Sequence, residues 1–253
     1  MSKHDSNEDL VSVVERNPRS KFPTSILFVF CAIFLLLSYF YKKNTEVDTV
    51  AQATYSSSEK LIDAPDVFDI HHLISNGRVD EFKQKILSVD REAINEVVGG
   101  MTPIMLAASA GNIEIIDLLF TQGADPNIRG SAERTALQYA TERNHIDAAK
   151  RLLAYGADID AYDNGGLTPL IMASNRGYTE LGLWYIDKGA NVNNQHNEGW
   201  TALIDAAVRD DAVLVEALLA AGADKNLATN KGLKAIDYAR QYGHKTMVNI
   251  LSK

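Results

Sequence analysis

The sequence predicts an all-α repeat solenoid preceded by a single N-terminal transmembrane helix. Three observations carry that expectation. From Thr102 onward the chain repeats every 33 residues, with Thr102, Thr135, Thr168 and Thr201 opening the units and Lys234 taking the same place in the last. A Gly-Ala pair recurs in step at Gly123-Ala124, Gly156-Ala157, Gly189-Ala190 and Gly222-Ala223. Between Lys21 and Lys42, 20 residues carry no charge. The 253 residues are 46% hydrophobic and 23% charged, a composition that folds rather than stays disordered. The expected division is a polar tail (1–21), a membrane helix (22–41), a flexible linker (42–66) and a repeat domain (67–253). The units of that domain run 69–101, 102–134, 135–167, 168–200, 201–233 and 234–253.

The uncharged run reads FPTSILFVFCAIFLLLSYFY. At ~1.5 Å per residue it spans ~30 Å, the thickness of a bilayer core. Phe22, Tyr39 and Tyr41 stand near its ends, where amphipathic rings favour the interface, and lysines close both ends. A buried core helix would carry a polar stripe, and a signal peptide has an apolar core of only ~7–15 residues. Arg16, Arg19 and Lys21 on one side against Lys42 and Lys43 on the other give a weak positive-inside bias. That bias puts the N-terminus in the cytoplasm and the repeats across the membrane, in the periplasm if the source is bacterial. The linker, with YSSSEK at its centre, has an r.m.s. reach of ~25–30 Å.

Each recurring residue of the repeat has a physical use. A threonine can cap the first helix of its unit by accepting from a free backbone N–H. Pro103 and Pro169 then fall at the first helical position, where the missing N–H costs nothing. Ala107, Ala140, Ala173, Ala206 and Ala239 let neighbouring units approach closely. Ile104, Leu137, Leu170, Leu203 and Ile236 supply an apolar contact to each interface. Leu119, Leu152, Leu218 and Leu251 do so from the second helix, with Tyr185 in the fourth unit. The glycines at 123, 156, 189 and 222 follow that helix, where a left-handed turn is needed.

The segments TPIMLAASAGNIEIIDLLFTQGADPN, TALQYATERNHIDAAKRLLAYGADID, TPLIMASNRGYTELGLWYIDKGANVN and TALIDAAVRDDAVLVEALLAAGADKN resemble the ankyrin-repeat family, over about residues 69–253. The resemblance implies a stack of helix pairs joined by hairpins, with degenerate caps at 69–101 and 234–253. Three departures stand out. The family's TPLH histidine is replaced by Met105, Gln138, Ile171, Ile204 and Asp237, so a bond network between units is expected to be lost. Asn144 and Asp210 replace the glycine after the first helix, and both types tolerate left-handed backbone. Gly182 inside a helix should weaken the fourth unit by ~1 kcal/mol against alanine, making it the loosest internal one.

Chemistry is mostly excluded. A net charge of -8 and a pI near 5.3 argue against nucleic acid as the main partner. One cysteine, Cys31, excludes a disulfide framework and a thiolate zinc site. There is no phosphate loop, nucleophile elbow or paired-histidine helix. DIDAYDNGG (158–166) has Tyr162 and Pro169 where a calcium loop needs ligands, so it reads as a repeat hairpin. His71 and His72 are adjacent and diverge on a helix; His145 and His244 open second helices and read as structural. No cofactor or metal is expected.

What remains is a surface. In ankyrin-type stacks, ligands meet hairpin tips and the exposed ends of first helices. Carried over residue by residue, the tips include Arg134, Asn164, Asn197, Glu198 and Trp200, and the helix ends include Arg143, Arg176, Arg209 and Tyr242. Arg143, Arg176 and Arg209 are 33 residues apart and should form one row on the concave side, in a domain of 24 acidic and 18 basic residues. Arginine forks suit carboxylates, so the row, with Trp200 and Tyr242 as aromatic anchors, suits an acidic partner segment. The bland alternative is a solvated row neutralised by Glu142 and Asp210. The expected function is a membrane-anchored, non-enzymatic protein-binding module. The alternatives are an immunity or inhibitor protein, a protective or assembly factor for an envelope enzyme, and an enzyme using Asp205, Asp210 or His196. Asp205 is the unusual residue, because its sister positions hold Leu106, Tyr139, Met172 and Tyr238.

Overall fold

The computed structural model describes residues 65–253. The expected membrane segment 22–41, the tail 1–21 and all but the end of the linker 42–66 lie outside the described residues. Among the described residues, no helix is long and apolar enough to cross a membrane.

Helix pairs follow one another along the chain. The first pair is Pro65–Ser75 with Val79–Lys85, continued by a 3-10 turn, Ile86–Ser88, and a short helix, Arg91–Ile94. It begins two residues before the expected domain start at 67 and four before the first expected unit at 69, at a proline, which gives up no hydrogen bond at a helix N-terminus. Then come Pro103–Ala110 with Ile113–Thr121, Ala136–Glu142 with Ile146–Ala154, Pro169–Arg176 with Thr179–Asp187, Ala202–Val208 with Ala212–Ala220, and Ala235–Tyr242 with Lys245–Leu251. Each helix is too short to be stable alone, so stacking supplies the stability.

The repeated apolar residues form that stack. The five recurring alanines are fully buried, as are Leu119, Leu152, Tyr185 and Leu218 of the second helices. Ile104, Leu137, Leu170 and Leu203 are buried as well, while Ile236 in the last unit is only partly covered. Tyr185 keeps its hydroxyl satisfied on Thr141 Oγ1 at 2.5 Å, and burial pushes its phenol well above the ordinary range. The left-handed turns after the first helices are adopted by Asn144 (φ 57°) and Asp210 (φ 58°) as well as by glycines. At Gly111 a side chain is excluded twice over. Its φ is +68°, and a Cβ would lie 2.7 Å from the His145 ring.

One local expectation is corrected and two are refined. Thr102, Thr168 and Thr201 cap their helices, accepting from Met105, Ile171 and Ile204 N–H at 3.4, 3.4 and 3.2 Å. Thr135 does not: its buried hydroxyl has no partner, and Gln138 Oε1 takes the Thr135 N–H at 2.9 Å instead. A bond from the position of the family histidine persists at this site, because Gln138 is long enough to donate also to the carbonyl of Leu167, at the hairpin that closes its own unit, at 2.7 Å. Gly182 also has a packing use beside its expected helix cost, since a Cβ there would stand 3.0 Å from Leu214 Cδ1 of the next unit. The missing methyl lets the fourth and fifth units close on each other.

Candidate partner-binding surface

Two hydrogen-bonded ladders hold successive units in register. One runs through the loops after the second helices. Asn95 accepts from Asp125 N–H (2.8 Å) and donates to the Gly123 carbonyl (3.0 Å). Asn127 does the same to Asp158 and Gly156 (2.8 and 3.0 Å), and Asn193 to Asp224 and Gly222 (2.8 and 3.2 Å). At the equivalent place Asp160 only accepts, from the Asn191 N–H at 3.0 Å. Sequence reasoning assigned these residues no role. For Asn127, Asp160 and Asn193 the signal was the Asn or Asp that closes each GADPN, GADID and GANVN segment; Asn95 stands outside any such segment.

The second ladder joins the hairpin tips. Backbone N–H groups of Asn164, Asn197 and Asn230 donate to the Ala132, Gly165 and Glu198 carbonyls of the preceding tips, each at 2.9 Å. The Asn197 amide adds a bond to the Asn164 carbonyl, and the Asn230 amide one to Asn197, both at 2.9 Å. Of the tip residues expected to meet a partner, Asn197 thus has its side chain committed to the stack. Asn164 and Glu198 contribute backbone groups to the ladder, and both residues are exposed.

The tip residue Arg134 is half-buried and held. It meets Glu142 at 3.0 Å and Asp163 at 3.4 Å. Asp163 in turn accepts the Gly165 and Leu167 N–H groups, so the segment 158–166 is built as a hairpin. Glu142 also takes Arg176 at 2.6 Å, so one carboxylate serves two guanidiniums. Arg143 and Arg209 are exposed and have no ion-pair partner among the described residues. Asp210, expected to neutralise the row, lies instead 3.9 Å from the His244 ring. The three arginines do occupy one register position, at or just past the ends of consecutive first helices.

Trp200 is half-buried, with its ring 4.8 Å from Tyr238 and 6.4 Å from a nearly parallel His196. Tyr242 is 56% exposed, at the C-terminal end of the last first helix. His145 and His244 point a ring nitrogen at the Ser109 and Ala207 carbonyls of the preceding units, both at 3.1 Å, which is a bridging use.

Asp205 is the exceptional group on this face. It is 3% exposed. Oδ1 accepts from Asn175 Nδ2 at 2.9 Å, but Oδ2 is buried with no hydrogen-bond partner. Burial pushes its carboxyl up to about 6, against smaller opposing effects of the Asn175 bond and the Arg209 charge. With Asn175, Trp200, Val208 and Arg209 it lines an open pocket of about 450 Å³. The three residues of the enzymatic alternative have separate partners, for His196 Nδ1 accepts the Glu198 N–H at 3.0 Å. Among the described residues, no group of three or more His, Cys, Asp or Glu side chains could hold a metal ion.

A family profile for ankyrin repeats matches this chain in three overlapping copies, over residues 70–163, 104–196 and 170–253. Human DNA-binding protein RFXANK is 32% identical over 76 residues, 30% of this chain and 29% of that protein. The ankyrin repeat protein nuc-2 of Neurospora crassa is 32% identical over 87 residues, 34% of this chain and 8% of that protein. The matches thus span less than a third of either relative's own length. A crystal structure of an ankyrin repeat domain from Acinetobacter baumannii AYE superposes with a TM-score of 0.67 at 31% identity. It covers 73% of this chain and 96% of that one.

Proposed function

We propose that this chain, which belongs to the ankyrin-repeat family, holds a partner protein against the concave face made by its first helices and hairpins, and catalyses no reaction. One contrast supports this above all. The buried positions of successive units repeat, while the positions at the ends of their first helices do not: Ser109, Glu142, Asn175, Val208 and Gln241 share one register position, exposed at Asn175 and Gln241 and half-buried at the other three. A preorganised stack loses little conformational entropy on association, so a few arginine and aromatic contacts suffice for affinity.

The partner segment is acidic. Arg143 and Arg209 make no ion pair among the described residues, although the Arg209 charge acts on Asp205, and Arg176 is held by Glu142. The acidic balance of the domain disfavours nucleic acid, although one human relative is named as DNA-binding. Membrane attachment through residues 22–41 is part of the same reading and rests on the 20 uncharged residues there. The repeats are then extracytoplasmic, in the periplasm of a bacterium, with the N-terminus in the cytoplasm.

Affinity purification with the full chain tests the surface. Arg176→Glu is expected to abolish recovery of the partner, while Arg151→Glu, outside the row, leaves it intact. Unchanged recovery with Arg176→Glu removes the arginine row from the interface. A reporter fused after Lys253, active in only one compartment, tests the topology; activity of a cytoplasm-specific reporter reverses it.

A further inference from the structure

Most buried polar groups in folded proteins have a hydrogen-bond partner, and an orphaned one calls for an explanation. Asp205 Oδ2 is such a group, and its setting points to a ligand rather than to packing. Asp205 sits where sister units carry Leu106, Tyr139, Met172 and Tyr238, so the fold does not require a carboxylate there. Its other oxygen is fixed by Asn175, which orients the carboxyl plane. The group lines a pocket that opens on the first-helix face, with an indole, Trp200, on another wall. The opening of about 450 Å³ lies within the ~300–1,000 Å³ typical of small-ligand sites.

We propose that this pocket receives one arginine side chain of the partner, its stem or plane against Trp200 and its guanidinium drawn to the Asp205 carboxylate, whose Oδ2 is covered in the free chain. The occupant follows from complementarity. A carboxylate oxygen that is already desolvated asks for a charged donor, and a charge-assisted bond is the strong kind. Guanidinium is more weakly hydrated than ammonium and stacks on aromatic faces, so it is the cation that enters such a site most cheaply. Arg209 shares the rim but does not pair with Asp205. A Cβ at Gly177 of the preceding unit would stand 3.5 Å from its Cδ and Nη1, so its side chain lies along that turn. The surface thus reads a mixed segment, with acidic residues opposite Arg143, Arg176 and Arg209 and one arginine opposite Asp205.

This deepens the partner-binding reading and rests on it, yet it is testable without the partner. The chain has two tryptophans, Trp184 and Trp200. Labelling the full chain with 5-fluorotryptophan gives one ¹⁹F signal at the pocket and one internal reference. Titration with N-acetyl-arginine methylamide is expected to shift the Trp200 signal and leave that of Trp184 in place. N-acetyl-citrulline methylamide, of the same shape without the charge, should bind at least about tenfold more weakly, as should the arginine probe to Asp205→Asn. Equal shifts from the two probes on the unaltered chain, or no movement of the Trp200 signal with the arginine probe, overturn the assignment whatever the variant does. The titration is blind to Arg176→Glu, so a failed arginine row and a failed pocket give different results.

Discussion

The loops and the first-helix face of the same units are built on opposite plans. In the loops, one solution repeats. Asn95, Asn127 and Asn193 each bond an N–H and a carbonyl of the following loop, and the tips at Asn164, Asn197 and Asn230 pair in turn. On the helix face the polar residues differ from unit to unit, and their bonds form isolated clusters: Arg134–Glu142–Arg176 in one place, Asn175–Asp205 in another. The difference teaches where stability and recognition are kept. Loop polarity satisfies the backbone and sets the register, whereas helix-face polarity is left partly unsatisfied.

The largest effect expected from altering this contrast is at Asp205. Burial raises its carboxyl from 3.8 to about 6. Between about pH 4 and 6 the folded chain therefore holds a proton that the unfolded chain has lost, so stability falls as pH rises through that window and stays lower above it. Asp205→Met, matching Met172, is expected to stabilise the chain by about 1–3 kcal/mol at pH 7. The gain should fade below about pH 4, in melts or urea titrations across pH. A gain independent of pH would mean that the buried charge costs nothing.

Next comes the ladder. Asn193→Ala leaves the Asp224 N–H and the Gly222 carbonyl without their partner at an exposed site and should cost about 0.5–1.5 kcal/mol. Hydrogen exchange of the Asp224 amide should rise with it; no change in either would make the ladder ornamental. A smaller gain is expected at the one hairpin built without its glycine. Glu133 has φ +60° where Gly100, Gly166, Gly199 and Gly232 stand in the other hairpins. Glu133→Gly relieves that strain and should add about 1 kcal/mol, measured by urea unfolding. The smallest effect belongs to Arg176→Ala, which removes an exposed ion pair and should change stability by no more than ~0.5 kcal/mol. A larger loss would move Arg176 from the recognition surface into the structural set.

Legibility followed repetition. The period, the buried alanines and the left-handed turns at Asn144 and Asp210 were readable because one constraint acts five times on the chain. The ladder asparagines were visible as a repeating letter but not as a function, since their bonds reach 28 to 31 residues away, to the loop of the next unit. The contacts of Gly182 and Gln138 were invisible for a related reason. Helix propensity and family pattern are local quantities, while the Leu214 contact lies across an interface and the Leu167 bond spans 29 residues of chain. At the candidate surface the row of Arg143, Arg176 and Arg209 could be placed from spacing. Which arginine was free and which was held by Glu142 could not.

The sequence by itself determined the architecture of residues 65–253: short amphipathic helices at a strict period cannot bury their apolar sides except against copies of themselves. It also marked Asp205 as a departure. Only the tertiary structure decided what that departure means. Whether a carboxylate is solvated, paired or orphaned depends on what neighbouring units bring within 3 Å or so of each oxygen. Here they bring Asn175 to one oxygen and nothing to the other.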